Sequence, residues 1–122
     1  MTINVKRVDD PPGQKDGYRV LVDWLWPRGL TADAAKVALW LCDVAPTTAL
    51  RKWYGHRIER WPDFQERYRN ELAVHGELLD LIRDIEHHRT RVTLLFATQD
   101  EDHNEARVLA EVVTERPAHT HN

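Results

Sequence analysis

The chain has 122 residues, 42% of them hydrophobic and 30% charged, and a formal net charge of −3 at pH 7. This length and balance predict one globular domain with its own core, and the small net charge gives no general attraction to nucleic acid or to an anionic membrane. The single cysteine, Cys42, excludes an internal disulfide and disfavours a cysteine zinc cluster.

Neither membrane insertion nor secretion is indicated by the sequence. No apolar run approaches the ~20 residues that a membrane-spanning helix needs. Residues 1–10 (MTINVKRVDD) also lack the apolar core of a signal peptide. Together with the single cysteine, these features predict a cytoplasmic location.

The first part of the chain predicts two strands and a short helix. Residues 3–8 alternate apolar and polar side chains, as a half-buried strand does. After a loop rich in turn residues, residues 18–26 form a near-continuous apolar run that predicts a central strand covered on both faces. Pro27 ends this run, and Thr31 can cap a short helix.

The middle of the chain predicts one further strand and three helices. The apolar run 37–45 is interpreted as a strand, although a run this short is also compatible with a helix. Residues 46–55 predict a short helix capped by Thr47. Two longer helices follow, one with an apolar stripe and one over residues 77–88; the stripe is formed by Trp61, Phe64, Tyr68 and Leu72.

The last part of the chain predicts a strand and a terminal helix. Residues 91–98 are the strongest strand pattern in the sequence. Asp102 and Glu105 have the spacing of a capping box, and an apolar stripe through Val113 then predicts a helix. Residues 117–122 are expected to form a disordered tail.

Strands that alternate with helices predict an α/β fold. We therefore expect a single α/β domain over residues 1–116, with a small, mostly parallel sheet and helices on both faces. In such sheets, ligands bind beyond the carboxyl ends of the strands.

Polar residues follow three of the predicted strands. If these strands are parallel neighbours, the polar groups meet at one edge of the sheet and predict a site there. The first group contains Asp23, Trp26 and Arg28, the second contains Asp43 and Thr47, and the third contains Gln99, Asp100, His103 and Asn104.

The first polar group suggests an anion contact. Arg28 can bind a carboxylate or phosphate through two parallel hydrogen bonds, or it can be an exposed turn residue. Asp23 lies in an apolar run and needs a partner, for which Arg28 and Arg19 are candidates; an ion pair there can be structural or functional. Trp24 and Trp26 are expected to form a wall of the pocket.

The third polar group suggests proton chemistry. His103 is a candidate general acid or base, since histidine is the residue most often used in that role, and Asp23 and Asp100 are catalytic partners that would orient the reacting groups. Asn104 can donate to a ligand oxygen. The alternative is that His103 and Asn104 only mark the start of a helix.

The stretch 51–69 combines basic and aromatic side chains. It can contact a protein or a nucleic-acid backbone, or it can be the solvated face of an amphipathic helix, which is the commoner case. Self-association through aromatics such as Trp61 or Tyr68 is a further possibility. No spacing of histidine, cysteine or acidic residues indicates a metal site, and no motif indicates a cofactor.

Four ordered motifs resemble those of a known bacterial family. They are LVD-x-LWPRGL (21–30), W-L-x-x-x-AP (40–46), LRKWYGH (50–56) and D-E-x-HN (100–104). In these motifs the chain is similar to the family called domain of unknown function 488, in its short YeaO-like branch, over residues 3–115. The resemblance implies one cytoplasmic α/β domain and no established reaction.

The resemblance also implies which polar positions recur in the family. They correspond here to Asp23, Arg28, Arg51, Lys52, His56, Asp100, His103 and Asn104. This chain departs from the family's usual arginine at Trp24, basic residue at Gln99, lysine at Cys42 and tyrosine at Phe96. The departures leave two alternatives open, a changed ligand or a retained fold with lost activity.

These observations favour binding or catalysis at the carboxyl edge of the sheet, with a small molecule that carries an oxygen-rich or anionic group. We expect His103, Asp23 and Asp100 in catalytic roles and no cofactor or metal; the predicted ligand-binding residues are Arg28, Trp26, Arg51, His56 and Asn104. The alternative is a non-catalytic interaction module that uses residues 51–69. A homo-oligomer is compatible with either reading, and a nucleic-acid partner is disfavoured.

Overall fold

Four strands and five helices make up the part of the chain that the computed structural model describes, residues 2–115. The strands are β1 (Thr2–Arg7), β2 (Tyr18–Leu21), β3 (Leu39–Trp40) and β4 (Arg91–Phe96). The helices are α1 (Ala32–Ala35), α2 (Thr48–Tyr54), α3 (Trp61–Leu72), α4 (Gly76–Arg89) and α5 (Glu105–Thr114). The tail predicted over residues 117–122 lies outside the described residues.

The strands form one sheet in the order β1-β4-β2-β3, and all three neighbouring pairs are parallel. This confirms the predicted α/β class with a parallel sheet. Because all four carboxyl ends point the same way, the segments that follow the strands gather at one edge.

The two faces of the sheet are covered unequally. Val92, Leu94 and Phe96 of β4 belong to the large core, which also takes in buried residues of α2, α3, α4 and α5. The opposite face has a small core in which Ala35 of α1 packs with Leu95 of β4. Coverage of both faces explains why β4 is an almost uninterrupted apolar run.

Two predicted strands are much shorter than expected. The run 18–26 stops being a strand after Leu21, because the carboxylate of Asp23 accepts a hydrogen bond from the backbone N–H of Ala97 at 2.9 Å in place of a ladder bond. The run 37–45 pairs with β2 only at β3 and then turns into a 3-10 helix at Cys42–Val44. Trp40 is 40% exposed, because β3 lies at the edge of the sheet.

Helix caps account for most of the helix starts. Thr31 and Thr47 accept hydrogen bonds from the backbone N–H of the third residue of α1 and of α2, respectively, as predicted. The capping box at the last helix was wrong: α5 is capped by Asn104 and not by Asp102. This shift of the cap makes Glu105 the first residue of the helix.

A buried ion pair supports the loop before β2. Arg19 donates to Asp16 at 2.6 Å and to the carbonyl of Ala35 at 2.8 Å, and Lys6 also contacts Asp16 at 3.0 Å. Arg19 is therefore not the partner of Asp23, contrary to one of the two options predicted, because its guanidinium is bonded to Asp16 and Ala35 instead. None of the helices within residues 2–115 is long and apolar enough to cross a membrane.

Candidate functional site

A cavity of about 530 Å³ lies at the carboxyl edge of the sheet. The segments that follow β2, β4 and α2 form its wall, together with the starts of α3 and α5. Most of the residues predicted at the site line it: Asp23, Trp26, Arg28, Arg51, His56, His103 and Asn104. Asp100 does not line the cavity, but it holds His103 in place.

The loop after β2 forms one side of the cavity. The indole N–H of Trp26 donates to the carbonyl of Leu30 at 2.6 Å, and its ring meets that of Trp40 edge-on at 5.6 Å. These contacts fix the turn in which Arg28 lies exposed at the rim. Within residues 2–115 Arg28 makes no salt bridge, so it is not the partner of Asp23 either.

Arg51 and Trp24 close another part of the wall. The guanidinium carbon of Arg51 lies 3.9 Å from the centroid of the Trp24 ring, within the range of a cation–π contact. The same guanidinium donates to the carbonyl of Pro46 at 2.6 Å and to the hydroxyl of Thr48 at 2.9 Å. Arg51 is thus held firmly by its own helix start and by the ring below it.

Two carboxyl groups meet in the inner part of the cavity. Burial raises the pKa of Asp23, against the hydrogen bonds that its carboxylate accepts from the backbone of Ala97 and Trp24 and the charge of Arg51. Burial, and then the negative charge of Asp23, raise the pKa of Glu105 to about 8. Glu105 therefore keeps its proton at neutral pH.

The carboxyl group of Glu105 is incompletely bonded. Its Oε2 atom is enclosed by protein atoms and receives no hydrogen bond from any residue between 2 and 115. A buried oxygen without a donor loses its hydration and gains nothing in return. A raised pKa in a cleft, with a specific neighbouring charge, is a feature that many functional sites share.

His103 is oriented by Asp100. The Nδ1 atom of His103 lies 3.1 Å from Oδ2 of Asp100, and its ring meets that of Trp61 edge-on at 5.2 Å. Because a carboxylate only accepts hydrogen bonds, this contact fixes the proton on Nδ1 and leaves Nε2 as the second ring nitrogen for a ligand.

Asp100 is itself held by the turn before α5. Burial tends to raise the pKa of Asp100, but hydrogen bonds from the backbone N–H groups of His103 and Asp102, and then the His103 imidazole, outweigh it and hold the pKa below its usual value. The loop is therefore a compact anionic turn that supports the imidazole.

Asn104 has a local structural role. Its Oδ1 atom accepts from the backbone N–H of Arg107 at 3.1 Å, and its Nδ2 atom donates to the carbonyls of Asp100 at 3.0 Å and Glu101 at 3.2 Å. Both amide hydrogens are engaged by the chain itself. The ligand contact predicted for Asn104 therefore has no remaining donor.

His56 lies exposed at the rim, in an unusual backbone conformation. Its φ of 58° is left-handed, and it follows Gly55, whose φ is 53°. Such a conformation costs a non-glycine residue about 1 kcal/mol or more, and conformations of this kind cluster at functional sites. The ring of His56 lies 6.1 Å from that of Tyr54, which lines the cavity.

The basic stretch 51–69 is largely engaged by the protein itself. The guanidinium groups of Arg60 and Arg67 lie 5.2 and 4.2 Å from the ring of Trp53. Arg69 forms salt bridges of 2.9 Å with both Glu111 and Glu115 of the last helical segment. These contacts match the solvated helix face more closely than a surface for nucleic acid, and a partner for this stretch stays a prediction.

Several cavity residues were not recognised in the sequence. The sequence predicts Glu105 as part of a capping box and Phe64 as part of an apolar helix stripe, and it does not single out Tyr54; all three line the cavity. Asparagine is also a favoured capping residue, so Asn104 was a second candidate cap in the sequence. With the cap at Asn104, Glu105 is the first residue of the helix, at the edge of the sheet. No cluster of three or more histidine, cysteine or acidic side chains able to hold a metal occurs among the described residues.

The sequence was compared with known protein families. The family model DUF488-N3i, described as the inactive DUF488-N3 subclade, matches residues 2–122. The chain belongs to this family. The predicted resemblance to the YeaO-like branch of domain of unknown function 488 is thereby confirmed.

Relatives of this DUF488 protein cover nearly its whole length. The uncharacterized protein Rv3073c of Mycobacterium tuberculosis is 40% identical over 114 residues, which cover 93% of this chain and 95% of that protein. The uncharacterized protein YeaO of Escherichia coli is 39% identical over 111 residues, which cover 91% and 96%. No solved structure matches the chain significantly.

The structure shows where two of the residues that depart from the implied family pattern lie in this DUF488 protein. Trp24, where the resemblance implies arginine, lines the cavity beneath the guanidinium of Arg51. Phe96, where it implies tyrosine, is buried in the large core. Relative to the pattern that the resemblance implies, the cavity has an aromatic ring in place of a cation, and the core has a phenylalanine in place of a tyrosine.

Proposed function

We propose that this DUF488 protein binds a small molecule in the cavity at the carboxyl edge of the sheet, with an oxygen-rich or anionic group of the ligand at Arg28. The observation that carries the proposal is the convergence of Arg28, Arg51 and His103, from three separate segments, on one aromatic-walled cavity. Cavities with apolar walls and a few converging polar groups are the usual form of a small-molecule site.

Each polar group has a distinct expected role. Arg28 is exposed at the rim and makes no salt bridge within residues 2–115, so its guanidinium is available for a carboxylate or phosphate. Arg51 contributes positive charge but has two of its donors occupied. His103, oriented by Asp100, presents Nε2 to the ligand.

Binding without turnover is the form of the proposal that we favour. The family description calls this subclade inactive, which supports retention of a pocket after loss of a reaction. The catalytic roles predicted for His103, Asp23 and Asp100 remain the alternative, because an oriented imidazole beside buried carboxyl groups is also an arrangement for proton transfer.

Titration with benzoate and inorganic phosphate, followed by tryptophan fluorescence, tests the proposal. Trp24, Trp26 and Trp61 line the cavity and report on it. We expect saturable binding of at least one probe, weakened about tenfold or more in Arg28→Ala, since loss of a charge-assisted contact of 1.5 kcal/mol or more has that effect. Arg57→Ala is the matched control, because Arg57 is exposed and lies outside the cavity wall.

The outcomes separate binding from catalysis. Absence of saturable binding of both probes, or binding that is the same in Arg28→Ala and His103→Ala as in the parent, would overturn the site. Chemical conversion of carboxylated or phosphorylated compounds by the purified protein, lost in His103→Ala, would replace simple binding by catalysis.

A further inference from the structure

The inner wall of the cavity differs chemically from its rim. Arg28 is exposed at the rim, whereas the carboxyl groups of Asp23 and Glu105 are largely buried, and all three residues line the cavity. We propose that this inner wall binds a flat cationic nitrogen group of the amidine class, held by the carboxylates of Glu105 and Asp23. The inference rests on the proposed function, because both concern the same cavity.

The incomplete bonding of Glu105 is the main observation. Its Oε2 atom is enclosed and receives no hydrogen bond from the described residues, and Glu105 is one of the residues that line the cavity. Asp23 accepts a hydrogen bond from Ala97 through Oδ2, at 2.9 Å. A ligand with two adjacent N–H donors would pair with a carboxylate through two parallel hydrogen bonds, as a guanidinium does.

The protein's own cation does not fill this role. Arg51 is close enough to influence both carboxyl groups electrostatically, but it forms no salt bridge of 4 Å or less with either within residues 2–115. Its guanidinium is turned to Pro46 and Thr48 instead. Two neighbouring carboxyl groups therefore share a pocket without a bonded counter-ion.

The shape of the wall selects for a flat group. The rings of Trp61 and Phe64 stack at 5.4 Å with an interplanar angle of 16°, and Tyr54 lies 4.7 Å from Phe64. These rings and Trp26 border the same space. Aromatic faces attract cations and planar rings, so they favour an aromatic amidine over a branched aliphatic amine.

Binding of such a cation changes the protonation of the site. Glu105, with a pKa of about 8, holds a proton at neutral pH in the free protein. When the amidinium binds, the carboxyl releases this proton to solvent and pairs as the carboxylate, so charge and protons balance. The charged or titratable groups that face Glu105 are Asp23, Arg51 and Tyr68, and His56 and His103 line the same cavity.

Benzamidine, a planar cation, is the probe for this inference. Benzoate, an anion of similar size, is the probe for the rim site at Arg28. Binding is read from the indole N–H signals in NMR spectra, where Trp26 and Trp61 should shift and Trp53, outside the cavity wall, should not. We expect benzamidine affinity to fall about tenfold or more in Glu105→Gln, and benzoate affinity to stay within about twofold. Glu77→Gln, an exposed glutamate in the first turn of α4, is the matched control.

Proton release gives a second readout. Calorimetric titration at pH 7 in two buffers of different ionisation enthalpy should show release of about one proton per benzamidine bound, and none in Glu105→Gln. Asp23→Asn should weaken benzamidine less than Glu105→Gln does, because Oδ2 of Asp23 already accepts from Ala97.

Failure of this inference can be told from failure of the proposed function. Benzoate binding that depends on Arg28, without any benzamidine binding, would overturn the cationic site and leave the rim site standing. Benzamidine binding of equal strength in the parent and in Glu105→Gln, with no proton released, would likewise overturn it. Absence of saturable binding of benzamidine, benzoate and inorganic phosphate would overturn both.

Discussion

The guanidinium carbon of Arg51 lies over the ring of Trp24, 3.9 Å from its centroid. One residue comes from α2 and the other from the loop after β2, so this contact joins two of the segments that enclose the cavity. The contact also explains why Arg51, which is close to Asp23 and Glu105, forms no salt bridge of 4 Å or less with them within residues 2–115.

Replacement of Arg51 by lysine should remove the contact with Trp24 and lower the stability of the protein. A lysine ammonium cannot stack on Trp24 and donate to both Pro46 and Thr48 at once, because it lacks the planar fork of the guanidinium. We expect the free energy of unfolding, measured with urea, to fall by about 1 kcal/mol. Lys52→Ala, at the exposed neighbouring position, should change it by less than about 0.5 kcal/mol. Equal effects of the two substitutions would contradict the contact.

Replacement of Glu105 by glutamine should remove a destabilisation that grows with pH. The pKa of Glu105 is raised from 4.5 to about 8, mainly by burial and then by Asp23. Between these values the unfolded chain ionises this group while the folded chain keeps its proton, so the stability of the parent falls as pH rises. Relative to Glu105→Gln, we expect the free energy of unfolding of the parent to fall by as much as about 5 kcal/mol across this window, since each unit of pKa difference corresponds to about 1.4 kcal/mol.

Urea denaturation at several pH values checks this difference. Glu77→Gln provides the comparison, since Glu77 also lies in the first turn of a helix but is exposed. The difference in stability between the parent and Glu77→Gln should not change with pH across the same window. A parent and a Glu105→Gln variant with parallel pH profiles would show that Glu105 is not held protonated.

Loss of the cap at Asn104 should destabilise α5. Asn104→Ala removes the acceptor for the backbone N–H of Arg107 and the donors to two carbonyl groups. We expect a loss of about 1–2 kcal/mol in the free energy of unfolding, followed by circular dichroism in urea. Asn104→Ser keeps a capping oxygen and should recover part of the loss; a serine variant no better than alanine would argue against capping as the reason.

Replacement of Asp16 by asparagine should leave the buried cation of Arg19 without a counter-ion and destabilise the protein. Arg19 is only 3% exposed and pairs with Asp16 at 2.6 Å, so the variant leaves its charge without a partner. We expect a loss of about 3 kcal/mol at neutral pH. Asp9→Asn is the control: Asp9 pairs with Arg7 at the surface, where an ion pair contributes less than about 1 kcal/mol.

The effect of Asp16→Asn should shrink in acid. Burial tends to raise the pKa of Asp16, but hydrogen bonds from Gly13, Lys6 and Arg19 outweigh it and lower the pKa below 3.8. The stability due to the ionised carboxylate is therefore present above pH 3.8 and is lost as pH falls through the lowered value. Urea titrations from pH 7 down to pH 2 should show the parent and variant converging; a constant difference would contradict the ion pair as its source.

Much of the fold follows from local patterns in the sequence. The apolar run at 91–98 predicts β4, and the threonines at 31 and 47 mark two helix starts, because strand burial and capping depend on residues that are close in the chain. The alternation of strands and helices was sufficient for the parallel sheet. The end of β2 at Leu21 was not predicted, because the bond that ends it comes from Ala97, far along the chain.

By itself, then, the sequence determined the α/β class, the parallel direction of the strands and the edge at which polar side chains collect, since periodicity and turn residues act over a few positions. Only the tertiary structure decided which of those side chains meet. Asp23 has Ala97 and Glu105 as neighbours, and Arg19 forms its ion pair with Asp16. Asn104 caps α5. Burial and charge at a site depend on contacts between distant segments, which no local pattern encodes.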